Sequence, residues 1–220
     1  MTIKELVRPL PGARRISLLR QWITYGDSAR FWEGNYAQGR TSGSGSYGAL
    51  AEGKSAFLNR LVSDRAVGSV IEFGCGDGNQ LSMAEYPSYV GLDVSPTAIG
   101  LCQRRFDGDP AKSFFLYDGS CFTDRAGIFT ADLALSLDVV FHLTEDRVFE
   151  TYLTHLFAAG RRLVVIYSTN REIRGTAPHV RHRHFTPWVE ANCPDWRLAM
   201  VTRGPSTERA RADFFLYERS

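Results

Sequence analysis

An apolar run, Val70-Ile71-Glu72-Phe73, breaks into three alternate glycines, Gly74-Cys75-Gly76-Asp77-Gly78. Glycine lacks a Cβ and tolerates positive φ, so such a turn lets backbone come close to a ligand. The spacing is Gly-x-Gly-x-Gly rather than the Gly-x-Gly-x-x-Gly of a pyrophosphate cradle, and Glu72 stands just before it. A carboxylate there repels phosphate and suits a cationic amino-acid group, directly or through water. Both features count against a dinucleotide site. A plain loop is the competing reading of the glycines.

Further acids end later apolar runs. Tyr89-Val90-Gly91-Leu92 closes on Asp93 and Val94, about twenty positions past the first glycine, where a carboxylate can accept both hydroxyls of a ribose. The next run leads to Tyr117-Asp118-Gly119, a carboxylate beside small residues that could accept a hydrogen bond from an adenine amino group. A fourth passes through Ser136-Leu137-Asp138. Open parallel sheets bind ligands at the carboxyl ends of their strands, so Glu72, Asp93, Asp118 and Asp138 are expected around one crevice.

The elements that must position these acids are legible as alternating patterns. Strands are expected over Ser69–Phe73, Tyr89–Asp93, Ser113–Tyr117, Asp132–Ser136 and Leu163–Tyr167. Helices are expected over Ala49–Ser63, near Gln80–Ala84, over Pro96–Arg105 with Ser95 as N-cap, and over Glu145–Phe157. That order makes a parallel sheet with right-handed crossovers. Arg197–Thr202 and Ala212–Tyr217 flank Gly204-Pro205-Ser206, a gap too short for a comfortable crossover, and are expected as an antiparallel pair at the sheet edge.

Ahead of this body, residues 1–48 read as an arm ending in a loop, Gly39–Gly48, rich in glycine and serine. Trp22, Tyr25, Phe31, Trp32 and Tyr36 recur in the arm at near-helical intervals, an aromatic face suited to core packing or to a substrate lid. With 220 residues, 44% hydrophobic and 23% charged, the chain suits one folded domain, here residues 49–220, with its arm. Net charge is +2, which offers no global field toward nucleic acid or membrane, and no apolar run reaches membrane-spanning length. Cys75, Cys102, Cys121 and Cys193 form no Cys-x-x-Cys pair, so a reducing cytoplasm is the expected location.

Taken in order, the motifs between Ala49 and Tyr167 resemble the class I S-adenosylmethionine-dependent methyltransferases. The resemblance implies an α/β, Rossmann-like seven-stranded sheet, mostly parallel, with an antiparallel last strand and helices on both faces. It implies S-adenosyl-L-methionine as cofactor, with Glu72, Gly74, Cys75, Gly76 and Gly78 forming the turn under its methionine part. Asp93 and Val94 would hold the ribose, Asp118 and Gly119 would face adenine, and Ser136, Leu137 and Asp138 would line the inner wall.

Methyl transfer needs alignment, exclusion of water and, for a hydroxyl acceptor, removal of a proton. Asp138 and His142 are the candidate catalytic groups, on one face if that segment is helical; His142 has the better unperturbed pKa for a base, or else simply packs beside Phe141 and Leu143. The run Arg171, Arg174, His179, Arg181, His182, Arg183 and His184 suggests an anionic acceptor, with Tyr167, Arg181 and His182 as contacts; the alternative is a solvated loop whose charges meet Glu172 and Glu190. Zinc on His179, His182 and His184 is opposed by the interleaved arginines, and no metal site is expected. Tyr36, Ser42, Ser46 and Tyr47 are lid candidates.

The expected acceptor is a small polar molecule, with a sugar or nucleotide-linked sugar methylated on oxygen first and nitrogen methylation second. No Asn-Pro-Pro-Tyr-like tetrapeptide follows the fourth strand, which disfavours nucleic acid, although a transfer RNA could use the basic run. A regulatory protein that binds the cofactor without turnover is the reading from a different class.

Overall fold

The computed structural model describes residues 26–174, 177–205 and 212–220; Trp22 and Tyr25 lie outside them. Strands β1 (Val70–Phe73), β2 (Tyr89–Asp93), β3 (Lys112–Leu116), β4 (Ala131–Leu137) and β5 (Gly160–Ser168) pair in parallel in the order β3-β2-β1-β4-β5. A short antiparallel pair, β6 (Ile173–Arg174) with β7 (Arg181–His182), stands apart from this sheet. The chain then adds β8 (Trp196–Arg203) and β9 (Asp213–Arg219), and β9 inserts antiparallel between β5 and β8 to complete seven strands. The hairpin expected around Gly204-Pro205 is therefore the sheet's far edge.

Helices α1 (Ser28–Ala37), α2 (Gly48–Asp64), α3 (Pro96–Arg105), α4 (Asp146–Ala159) and α5 (Thr186–Asn192) surround the sheet. Central strands bury both faces, which accounts for their near-continuous apolar runs. Successive side chains alternate, so Val70, Leu133, Leu135 and Val165 join Leu58, Leu61 and Val62 of α2 on one side. Ile71, Phe73, Ala134, Val164 and Ile166 meet Phe149, Leu153 and Leu156 of α4 on the other. Ser95 caps α3 by accepting from Ala98 N, with Pro96 in the first turn, as its sequence predicts.

One expected element is absent from the described residues. The helix read over Gln80–Ala84 is only a 3-10 turn at Leu81–Met83. Asn59 of α2 diverts the backbone there, donating to Met83 O at 3.0 Å and accepting from Glu85 N at 3.0 Å, and Pro87 follows. Among the described residues no helix is long and apolar enough to cross a membrane.

Candidate functional site

At the carboxyl ends of β1, β2 and β4 lies a cavity of about 730 Å³, with α1 forming one wall. The glycine turn after β1 makes its floor. Gly74 and Gly76 hold φ of 87° and 59°, and a Cβ would come within 2.5 Å of Val139 Cγ2 at the first and 2.4 Å of Ser42 Oγ at the second. Neither place admits a side chain.

Buried carboxylates face this turn. Asp93 accepts from Gly76 N through Oδ2 and from Ser95 N through Oδ1, both at 2.9 Å. Burial pushes it up to about 6 despite those donors. Glu72 accepts from the Tyr89 hydroxyl at 2.6 Å, and burial pushes it up to about 7, against the opposing pull of the Tyr89 bond and of Lys54. Asp138 adopts the left-handed region at φ 60° and takes a 2.6 Å ion pair from Lys54 of α2, whose side chain is 1% exposed. Asp118 is exposed; Ser120 N and Oγ donate to its Oδ1 and hold it below the ordinary carboxylate range.

Of the residues expected at a cofactor, Glu72, Gly74, Cys75, Gly76, Asp93, Val94, Asp118, Gly119, Leu137 and Asp138 line the cavity. Two do not. Gly78 is turned against α3, where a Cβ would meet Phe106 and Cys102 at 2.8 and 3.0 Å. Ser136 is covered by Tyr152 of α4, whose hydroxyl reaches Ser136 Oγ at 2.7 Å and Phe73 O at 2.9 Å.

The Gly/Ser loop clasps the glycine turn. Ser42 N donates to Asp77 Oδ2 and Ser42 Oγ accepts from Asp77 N, each at 3.0 Å, while the Tyr36 hydroxyl lies 3.0 Å from Ser42 Oγ. Tyr36, Ser42 and Ser46 line the cavity; Tyr47 does not, but its hydroxyl donates to Asp77 Oδ2 at 2.8 Å. Asp77 is thus the loop's anchor, and sequence reasoning passed over it. An acid between two glycines, facing a loop of serines, was the available signal. Glu33 fastens α1 at the other end, accepting from Ser95 Oγ, Thr97 Oγ1 and Thr97 N in the first turn of α3.

The far end of the cavity is aromatic. Trp32 sets its edge against His142 at 4.8 Å, and His179 stacks on Phe31 at 4.1 Å and on His142 at 5.7 Å. His142 closes a 3-10 turn, Val140–His142, so with Asp138 left-handed the two candidate catalytic groups do not share a helical face, although both line the cavity. His142 Nδ1 lies 2.8 Å from His179 O. A carbonyl only accepts, so Nδ1 carries the hydrogen and Nε2 keeps its lone pair. Burial pushes this ring down to about 4, so it is neutral at physiological pH.

Of the basic run, Arg181, His182 and Arg183 do not line the cavity. Arg181 pairs with Asp146 at 2.7 Å and Glu172 at 3.2 Å. Arg183 is buried against Leu143 O, Thr144 O and Asp146. The His182 ring meets Thr169 Oγ1 at 2.7 Å, and Tyr167 is buried with its hydroxyl on Pro205 O. Tyr167, Arg181 and His182 are absent from the cavity lining, and Arg181 and Arg183 are engaged in internal ion pairs instead. Asp146, far from these arginines in sequence, pairs with both of them at once, and Glu172 supplies the second negative charge. Among the described residues no group of three or more histidine, cysteine or acidic side chains is arranged to hold a metal.

The residues present fit S-adenosylmethionine: a turn too tight for any Cβ, a buried acid beside it for a cationic amine, and a second buried acid one strand away. Sheet order, the inverted β9 and this turn define the class I S-adenosylmethionine-dependent methyltransferase fold. No family model matches the chain. It is similar to the small RNA 2′-O-methyltransferase of Arabidopsis thaliana, 24% identical over 134 residues, which are 56% of this chain and 14% of that protein. Among solved structures it resembles the N-methyltransferase NodS from Bradyrhizobium japonicum WM9 with S-adenosylhomocysteine bound, at TM-score 0.68 and 15% identity over 88% of this chain and 99% of that one. Magnesium protoporphyrin IX methyltransferase from Synechocystis PCC 6803, with S-adenosylmethionine bound, gives TM-score 0.65 at 15% identity over 90% and 99%. The methyltransferase domain of bacterial CtHen1 gives 0.63 at 17% identity over 77% and 98%.

Proposed function

We propose that the protein is an S-adenosylmethionine-dependent methyltransferase that methylates a hydroxyl of a small polar acceptor seated in the cavity beside Trp32 and His142. The observation that carries this reading is the pairing, in one cavity, of two buried carboxylates at a glycine turn with a neutral, tautomerically fixed histidine at the other end. The cofactor, when bound, supplies an activated methyl group on its sulfonium. Glu72 and the turn at Gly74 and Gly76 take its amino-acid part, Asp93 accepts from the ribose hydroxyls with lone pairs its two backbone donors leave free, and Asp118 faces adenine. Leu137 and Val94 fill the wall between them.

His142 Nε2 is placed to accept the hydroxyl's proton, which the acceptor oxygen would lose when the methyl group leaves the cofactor's sulfur for it. Its neutrality matters, because an imidazolium beside a sulfonium would oppose cofactor binding. Asp138 is engaged by Lys54, which leaves the imidazole as the free base. Trp32 and Leu143 exclude water. Because Arg181 and Arg183 are engaged in internal ion pairs away from the cavity, a neutral acceptor is favoured over an anionic one. The similarity to a small RNA 2′-O-methyltransferase favours a second reading, in which the hydroxyl is the 2′-OH of an RNA ribose.

Calorimetric titration with S-adenosylhomocysteine, followed by transfer of labelled methyl to sugars, amines and RNA oligonucleotides, tests both. Asp93→Ala should cost about 1.5–3 kcal/mol of product affinity, the range for a hydrogen bond to a charged group. Methylated RNA with steep salt dependence selects the second reading. A wild-type chain that ignores adenosyl sulfur compounds rules out both.

A further inference from the structure

Lys54 is the one buried lysine among the described residues, and the mechanism above gives it no part beyond engaging Asp138. Helix α2 places it behind the cavity wall, not in it. Its ammonium is held by Asp138 Oδ2 at 2.6 Å and by the face of the Tyr167 ring, 5.1 Å from the centroid. A Cβ on Gly45 would lie 2.7 Å from the same Asp138 oxygen, so the Gly/Ser loop closes directly over the pair. Asp138 N is also fixed, donating to Tyr167 O at 3.0 Å. Such an arrangement holds an aspartate in the left-handed region, where non-glycine residues are uncommon.

The charge balance gives the pair a purpose. Glu72, Asp93 and Asp138 all line the cavity, and of the three the Lys54 ammonium is in direct contact with Asp138, acting on Glu72 only at longer range. A sulfonium carries a positive charge that is lost once its methyl has left. An unpaired carboxylate in the wall therefore favours the reactant over the product and deepens the ground state from which transfer starts. A carboxylate paired with an ammonium does not.

We propose that Lys54 is a positioning residue that neutralises Asp138 and thereby sets this site's preference between the sulfonium cofactor and its thioether product. The proposal rests on the cofactor reading above. Its readout is a ratio of two equilibrium affinities, which needs no turnover.

The test measures dissociation constants of S-adenosylmethionine and S-adenosylhomocysteine by calorimetry on the full chain. Lys54→Met, close in shape and uncharged, should shift the ratio toward S-adenosylmethionine by roughly tenfold, the scale of one partly screened charge inside a protein. Asp138→Asn, which leaves the ammonium unpaired, should shift it toward S-adenosylhomocysteine. The double variant Lys54→Met with Asp138→Asn, neutral again, should return to within about twofold of wild type. A purely structural lysine weakens both ligands alike, and an unmoved ratio in Lys54→Met overturns the proposal. If Lys54→Met does not fold, an unmoved ratio in Asp138→Asn overturns it. A wild-type chain that binds neither compound removes the cofactor reading and this inference with it, whereas equal shifts in both affinities remove this inference alone.

Discussion

Glu72 offers a test in which function and stability pull in opposite directions. Glu72 is 4% exposed, and its carboxylate accepts from the Tyr89 hydroxyl, from which a glutamine carbonyl can accept equally well. Burial moves it from an ordinary 4.5 to about 7. Between those values the folded protein holds a proton that the unfolded chain has released, so stability is fullest below 4.5 and falls as pH rises through 7. Above 7 the loss is complete, at about 3 kcal/mol. Glu72→Gln escapes it. The variant without ligand should therefore be about 3 kcal/mol more stable than wild type at pH 8, or roughly 6–12 °C in Tm for a chain of this size. The gap should shrink below about 1 kcal/mol at pH 5, because the unfolded glutamate is then only partly ionised. Denaturant unfolding followed by tryptophan fluorescence at the two pH values measures both figures. Calorimetry on the same variant should show weakened S-adenosylhomocysteine binding. A variant no more stable than wild type at pH 8, or one whose advantage is undiminished at pH 5, refutes the reasoning.

His142→Ala should lower labelled methyl transfer by about 10²–10⁴-fold while leaving cofactor affinity within about twofold. Because burial pushes this ring down to about 4, kcat at saturating cofactor should hold as pH falls through 6.5 and fail near 4, while cofactor affinity weakens as Glu72 and Asp93, at about 7 and about 6, take up protons. An acid limb at 6.5 in kcat itself would count against His142 as the base. Gly76→Ala puts a Cβ 2.4 Å from Ser42 Oγ at a φ of 59°, so it should weaken S-adenosylhomocysteine at least tenfold. It should also strip hydrogen-exchange protection from residues 42–47, and intact protection would show that the loop does not depend on that contact.

The strands and the glycine turn were legible because their signals are local. The near-continuous apolar run Leu133–Leu137, the Ser95-Pro96 cap and the Gly204-Pro205 break each report on a few neighbouring residues. What stayed hidden depends on partners distant in sequence. Lys54 reads as one more polar residue of an amphipathic helix, and only Asp138, brought over from β4, makes it a buried ion. Arg181 and Arg183 read as a free positive patch until Asp146 at the start of α4 takes both. Ser136 stands at the expected strand position, yet Tyr152 from a later helix covers it. The helix expected near Gln80 fails for the same reason, since Asn59 supplies hydrogen bonds that no local pattern reveals.

The two ends of the cavity are built on opposite electrostatic plans, and α1 joins them. At one end Glu72 and Asp93 are kept out of water at a cost that a cationic ligand would offset. At the other, Trp32 and a histidine driven to neutrality offer no charge at all. Glu33, the residue after Trp32, binds the first turn of α3 through Ser95 and Thr97, and Ser95 N also serves Asp93. Those donors hold Glu33 below the ordinary carboxylate range, so the fastening stays ionised and intact throughout neutral pH. One helix N-terminus thus steadies both the buried Asp93 and the wall that presents Trp32 to His142. Loosening α1 would disturb the base without touching it, since Phe31 and Trp32 together hold the His179–His142 stack in place. Geometry at the acceptor end is therefore set from the cofactor end, through a helix whose anchor is a single carboxylate.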